Sequence, residues 1–295
     1  MPISTVKIGW WNRWHSSNLC ITGASLAASS ETTDHEASKT LSSQLSRTWR
    51  STGINGEYLS ANLGNAYQMG AVALAKHNLS PTATVRIRIS HLSDFSSPVL
   101  DQTVQAWSQI YNGTELSKGK LSEFFNGAGI PTQSTITNTL QNPLFVLTFP
   151  QITGTFVRFD FTDTANADGY IEVGAVYAGP LKTLNRGVVP SWEIQRDHIA
   201  RVPFASNGEI WSASVYQRSH LRGQFVAQNS NDGRDFWYFI SFLRGVTHPL
   251  LVIWRDDLGS TKHFGSLWAR YEDTPSLQHQ AIGHYGTQVA FEEIL

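Results

Sequence analysis

Two carboxylates on short alternating segments raise the first question of chemistry. Glu172 lies in "GYIEVGAVYAG" (169–179) and Asp160 in "GTFVRFDF" (154–161). Glycoside hydrolysis needs two such acids facing one cleft, about 5 to 9 Å apart. Strand alternation puts Glu172, Gly174 and Val176 on one face and Ile171, Val173, Ala175 and Tyr177 on the other. An outward acid pairing with a neighbour such as Arg158 explains Glu172 better, because nothing else marks a catalytic pair. The chain has no GxSxG, no P-loop, no GxGxxG, no HExxH and no HxH. No catalytic residue is assigned, no cofactor is expected, and the chain is read as a non-enzyme.

The stretch "TANADG" (164–169) has the look of a calcium loop, but Thr164 stands where an EF-hand needs Asp, and Ala175 where it needs Glu. A tight bend at Asp168-Gly169 explains it better. Asp163 and Asp168 are kept only as residues where calcium in a sandwich loop would sit, and no metal site is assigned. Sugar recognition asks for aromatic faces with planar hydrogen-bonding groups in loops. Trp49, Arg50, Asn55, His77, Asn78, Asp94 and Phe95 supply that set, read as lying at one end of a sandwich. Trp49 also suits a core plug beneath a sheet edge, and His77 and Asn78 suit a turn. The N-terminal "WWNRW" brings Trp10, Trp11, Arg13 and Trp14 together. With Phe236 and Trp237 they form the expected interface set, since Trp and Arg concentrate interface energy. Packing of "WWNRW" onto the chain's own second domain is the alternative.

The elements that would hold these residues read as mainly β. "EYLSANLG" (57–64), "AVALAKH" (71–77), "TATVRIRIS" (82–90), "PLFVLTFP" (143–150) and "GTFVRFDF" follow period 2, the last two split by a turn-like "QITG". This spacing predicts an N-terminal antiparallel sandwich over 1–180, with an insertion about 91–142 where the pattern fails. A linker is expected at 181–190. A smaller β-rich assembly domain follows over 191–295, with one amphipathic helix about 233–245 opened by Asn231 or Asp232 and closed by Gly245.

The chain has 295 residues, 41% hydrophobic and 15% charged, with a net charge of −1. That is enough for two folded domains and offers no basic field for nucleic acid. The one cysteine, Cys20, forbids an intrachain disulfide, and no apolar run is long enough for a membrane span. The N-terminus lacks a signal-peptide layout, so a cytosol-like location, or release by a route other than secretion, is expected.

"LAASSET" (26–32), "TWRSTGINGEYLSANLG" (48–64), "VRIRIS" (85–90) and "GTFVRFDFTD…GYIEVGAVYAG" together resemble the galactose-binding-like, discoidin-type jelly roll. Asn62-Leu63-Gly64 replaces that family's Asp-Leu-Gly. The combination of "WRST…YLSANLG", "ALAKHNLS" and "IEVGAVYAGP" with a second β domain ending in "FEEIL" also resembles tail or baseplate proteins of long-tailed bacteriophages. That resemblance implies a structural protein of a tail tip or baseplate. Its partners would be other tail proteins, further copies in a symmetric ring, and host surface polysaccharide. It would reside in the virion tail, after assembly in the host cytoplasm. A stand-alone carbohydrate-binding module or lectin is the second reading, and a polysaccharide-degrading enzyme the third.

Overall fold

In the computed structural model, residues 6–15, 25–107, 143–183, 193–201, 213–229, 246–254, 265–274, 276–281 and 284–294 are described. Among the described residues fifteen strands run in chain order: β1 Lys7–Gly9, β2 Ser25–Ala28, β3 Trp49–Arg50, β4 Asn55–His77, β5 Thr84–Ser90, β6 Pro98–Gln105, β7 Leu144–Thr162, β8 Glu172–Gly179, β9 Leu181–Thr183, β10 Glu193–Arg201, β11 Ala213–Asn229, β12 Leu250–Ile253, β13 Ser266–Tyr271, β14 Ser276–Ala281 and β15 His284–Glu293. A short 3-10 helix spans Ala37–Leu41. Contacts divide the chain into two units. One takes the described residues of 11–180 and Gly265. The other takes 6–10 and those of 181–254 and 266–294.

The first unit is built on one antiparallel ribbon. β4 has 23 residues and β7 has 19, and they pair along most of their length. Each had read as two strands. The breaks in their alternation are register shifts between Asn62 and Tyr67 and between Met69 and Ala71, not chain ends. At the first shift Gly64 takes φ +78°, a backbone closed to most side chains, and its N–H is held by Asn62 Oδ1 at 2.9 Å. The ribbon therefore folds on itself. Its outer half (55–62 with 156–162) carries β2 on one side and β5 then β6 on the other. Its returning half (71–77 with 144–148) carries β8 and then β3. These two layers make a jelly-roll sandwich.

Alternation fills the space between the layers. Leu59 and Ala61, Val85, Ile87 and Ile89, and Val157, Phe159 and Phe161 are all sealed from solvent against Val72, Leu74 and Val176. Arg86 and Arg88 project from the opposite face, as their alternation requires. The insertion expected about 91–142 is partly regular: β6 pairs with β5 as an edge strand, and 108–142 lie outside the described residues. In β6 Val99 is exposed while Leu100 and Val104 are partly buried on the other face, so its apolar residues show no clear period 2.

β8 departs from alternation because both of its faces are covered. Every residue from Val173 to Gly179 is buried. Leu45 approaches one stretch, and the segment after Trp10 hydrogen-bonds the strand's edge. There Asn12 Nδ2 donates to Val176 O at 2.7 Å, Ala178 N donates to Asn12 Oδ1 at 3.1 Å, and Arg13 N donates to Ala178 O at 2.8 Å. The Asn12 amide thus does the work of a strand backbone. Trp14 is fully buried, edge-on to Phe159 at 5.7 Å, with Nε1 donating to Thr40 Oγ1 at 3.0 Å. The anchoring expected of "WWNRW" at an interface is corrected for Trp14, which is a core residue of the sandwich.

The second unit is a single antiparallel sheet, ordered β10-β11-β15-β13-β12-β1-β9, with β14 also paired to β15. β1 lies between β12 and β9, so residues 6–10 belong to this unit and not to a domain spanning 1–180. β9 occupies the start of the segment expected as a linker at 181–190, and 184–190 are outside the described residues. One face buries Ile8, Leu221, Leu250, Val252, Tyr271 and Phe291. The other carries a lattice of charges along β11, β13 and β15, where Arg222 meets Glu272 at 2.9 Å and Arg218 and Arg270 share Glu292, while Leu251, Ile253 and Trp268 on it are buried. The helix about 233–245, with Phe236 and Trp237, lies outside the described residues.

The covering of β8 gives a stability test. A Cβ at Gly179 would sit 2.2 Å from the Trp11 carbonyl oxygen, a backbone atom held by the Asn12 clamp. Gly179→Ala is expected to cost about 1–3 kcal/mol, read as a lower urea midpoint. An unchanged midpoint would show that the 11–14 segment is not fixed on β8.

Candidate functional site

Folding the ribbon brings both ends of β4 to one end of the sandwich, and Asp163 fastens them there. Its N–H donates to Ile54 O at 3.1 Å, just before β4 begins. Its carboxylate accepts the N–H of Ser80 at 2.8 Å, the Ser80 hydroxyl, and Asn166 Nδ2 at 3.1 Å, just beyond the point where β4 ends. Asp163 is 1% exposed, and its oxygens are filled by donors. The residue kept as a place for calcium is thus a hydrogen-bonding clasp.

On this clasp stands a polar cluster drawn from the strand ends and the 163–172 loop. Asn78 Nδ2 donates to Asp168 Oδ2 at 3.0 Å and to Tyr170 O at 2.9 Å, while Asn78 Oδ1 accepts Glu172 N at 2.7 Å. Asn166 Nδ2 donates back to Asn78 O at 3.1 Å. Gly169, at φ +77°, makes the bend that was read at Asp168-Gly169. Arg50 donates through Nε to Glu172 Oε2 at 2.9 Å, and its guanidinium carbon lies 5.0 Å from the centre of the Tyr170 ring. The Arg50 side chain is 34% exposed, Tyr170 is half-buried, and Asp168 is exposed. Beside them Glu57 is buried and accepts the hydroxyls of Ser29 and Ser30, with Ser30 also accepting Thr52 N at 2.9 Å.

Glu172 is therefore an ion-pairing acid, with Arg50 rather than Arg158 as its partner. Asp160 is held by two arginines, Arg88 at 2.8 Å and Arg158 at 2.7 Å, on the outer face of the other layer. Arg158 and Arg88 are direct cross-strand neighbours, so Asp160 screens a like-charge pair that would otherwise repel.

The seven residues read as a sugar-binding set do not share one end. Arg50, Asn55 and Asn78 are at the clasped end, with Asn55 exposed at the start of β4. Trp49 is there too but fully buried, tilted on Phe161 at 5.8 Å, with Nε1 donating to Ser30 O at 3.0 Å. His77 is buried edge-on to Trp107 at 5.3 Å. Asp94 and Phe95 follow the far end of β5, whose first residue pairs with Thr162 and whose last pairs with Phe156. That separates them from the clasp by a strand length, about 20 Å at 3.3 Å per residue. Asp94 caps its own turn, and the N–H of Ser96 holds its carboxyl below the usual range. Phe95 is buried at φ +54°, edge-on to Phe156 at 6.4 Å. Tyr170 and Asn166 were missed as site residues, and Asp168 was kept only as a place for calcium. Their signal was the density of Asn and Asp around "TANADGY", each a side chain that bonds nearby backbone.

A scan of protein-family models finds no match, and a search of curated proteins finds none. Among solved structures, the chain is similar to the family-32 carbohydrate-binding module of AlyQ in complex with 4,5-unsaturated mannuronic acid: 17% identity, covering 52% of this chain and 92% of that one, TM-score 0.34. It is also similar to the family-32 module of C. perfringens NanJ in complex with galactose: 15% identity, 54% and 93% covered, TM-score 0.35. A third is the Streptococcus pneumoniae fucose-binding module SpX-3: 10% identity, 58% and 99% covered, TM-score 0.37. At these identities and TM-scores a shared ligand does not follow.

The clasp and the exposed rim predict opposite costs. Asp163→Ala would leave the Ser80 N–H and hydroxyl without this acceptor and Asn166 Nδ2 with only Asn78 O, and is expected to cost about 2–4 kcal/mol. Asp168→Ala, at an exposed position, should cost under about 1 kcal/mol. Equal urea midpoints for the two variants would remove Asp163 from its structural role.

Proposed function

We propose that the sandwich is a carbohydrate-binding module whose sugar site is the clasped end, at Arg50, Asn78, Asp168 and Tyr170. One observation carries this reading. An aromatic ring, a guanidinium, a carboxylate and an amide, all planar, converge on loops already hydrogen-bonded to each other. Sugar hydroxyls are bound by such planar donors and acceptors, and a ring's C–H face by an aromatic side chain. Because the loops are fixed beforehand, little ordering entropy opposes binding.

Binding without turnover is supported by the placement of the two acids first considered. Glu172 and Asp160 are on different layers, and each is neutralised by arginine. Assembly into a phage tail, with its ring of copies and its virion location, draws on the sequence resemblance alone. The module reading is preferred because named side chains carry it.

The test is a glycan array of neutral and acidic oligosaccharides, followed by calorimetry on the full chain. Tyr170→Ala and Arg50→Ala are expected to weaken the selected sugar about tenfold or more. Silence across the array, or variants that bind like the parent, would sink the reading.

A further inference from the structure

Arg13 differs from the other partly buried arginines. Among the described arginines that are not exposed, Arg50, Arg88, Arg158 and Arg218 each meet a carboxylate. Arg13 meets none among the described residues, and its Nε is buried with no hydrogen-bond partner. Its guanidinium lies instead against two aromatic rings, 4.3 Å from the centre of Trp11 and 4.3 Å from that of Tyr67. Burial lowers its pKa, with the neighbouring Tyr67 and Tyr177 acting the other way.

The position is rigid. Arg13 N is bonded to Ala178 O, Asn12 is clamped on β8, and Trp14 is sealed in the core. A fixed, half-desolvated cation with no counterion among the described residues carries a cost that the two rings offset only in part and that an incoming oxyanion would relieve. Its fork geometry favours a carboxylate, which it can meet through two parallel hydrogen bonds. A single fixed cation in a chain of net charge −1 does not suit a polyanion such as nucleic acid, and the aromatic rims suit the C–H face of a sugar ring.

We propose that Arg13, framed by Trp11 and Tyr67, is a second binding point that takes the carboxylate of an acidic sugar residue. It lies at the C-terminal end of β8, where Gly179 pairs with Ala71, so it is remote from Glu172 at the other end of that strand. The class of ligand rests on the module reading above. The site itself rests on Arg13.

Full-length protein titrated by calorimetry with a uronic-acid oligosaccharide and its neutral counterpart tests this. The acidic ligand should bind about tenfold tighter or more, the scale of a charge-assisted bidentate contact. Arg13→Gln should abolish that preference and leave neutral binding intact, and Arg13→Lys, which keeps the charge without the fork, should fall between them. A urea midpoint for each variant guards against loss of fold, and Arg13→Lys decides if Arg13→Gln unfolds. Equal affinity for acidic and neutral ligands, or a preference that survives in Arg13→Gln and Arg13→Lys, overturns the inference while leaving the module reading in place. A uronate preference lost in Arg13→Gln but untouched by Tyr170→Ala would instead support Arg13 and remove the clasped end as the sugar site.

Discussion

The sandwich depends on a closure that Asp163 makes. A ribbon as long as β4 with β7 can stay extended, swap with a neighbour, or fold on itself. Folding on itself brings the two ends of β4 together, and something must hold them. Asp163 does so with backbone on one side, at Ile54, and carboxylate on the other, at Ser80. A buried acid is costly unless its oxygens are bonded, and here three donors meet them. The polar loop above inherits its order from that clasp, because Asn166 bonds both Asp163 and Asn78.

Alternation in the sequence was enough to read the inner and outer faces of the outer layer. Val85, Ile87 and Ile89 point in and Arg86 and Arg88 point out, since one face meets a core and the other meets water. The same rule failed on β8, where every residue from Val173 to Gly179 is buried, with Asn12 bonded along the strand's edge and the Trp11 backbone against Gly179. Nothing local to "EVGAVYAG" encodes a partner 164 residues away in the chain. It also split β4 and β7 in two, because bulges interrupt the period without ending the strand. β1 was illegible for a related reason: three residues are too few for any period, and its place between β9 and β12 is wholly a matter of long-range pairing.

The candidate site was legible by residue type but not by position. Arg50 and Asn78 were picked for being planar and near strand ends, and both belong to the clasped end. Asp94 and Phe95 were picked on the same grounds and fall at the opposite end. Sequence alone does not give strand direction within a folded ribbon, and direction decides which loops meet. Trp49 shows the other side of this limit. A tryptophan before a strand serves equally as platform or plug, and the choice is made by whether Nε1 finds a partner inside, as it does at Ser30.

Charge is disposed differently at the two ends of the returning layer. At the clasped end Arg50 is already answered by Glu172, so a ligand there competes with an existing ion pair and gains mostly through hydrogen bonds and stacking. That favours neutral, hydroxyl-rich ligands. Toward the ribbon's fold, Arg13 is answered among the described residues by aromatic rings alone, which stabilise a cation without neutralising it. An anion there displaces no acid. Two points of contrasting chemistry, at opposite ends of β8 and so about 23 Å apart at 3.3 Å per residue, would let an oligosaccharide long enough to reach both be selected by composition at one point and by charge at the other. The discrimination would come from the pairing already present in the unliganded sandwich, with no change of fold required.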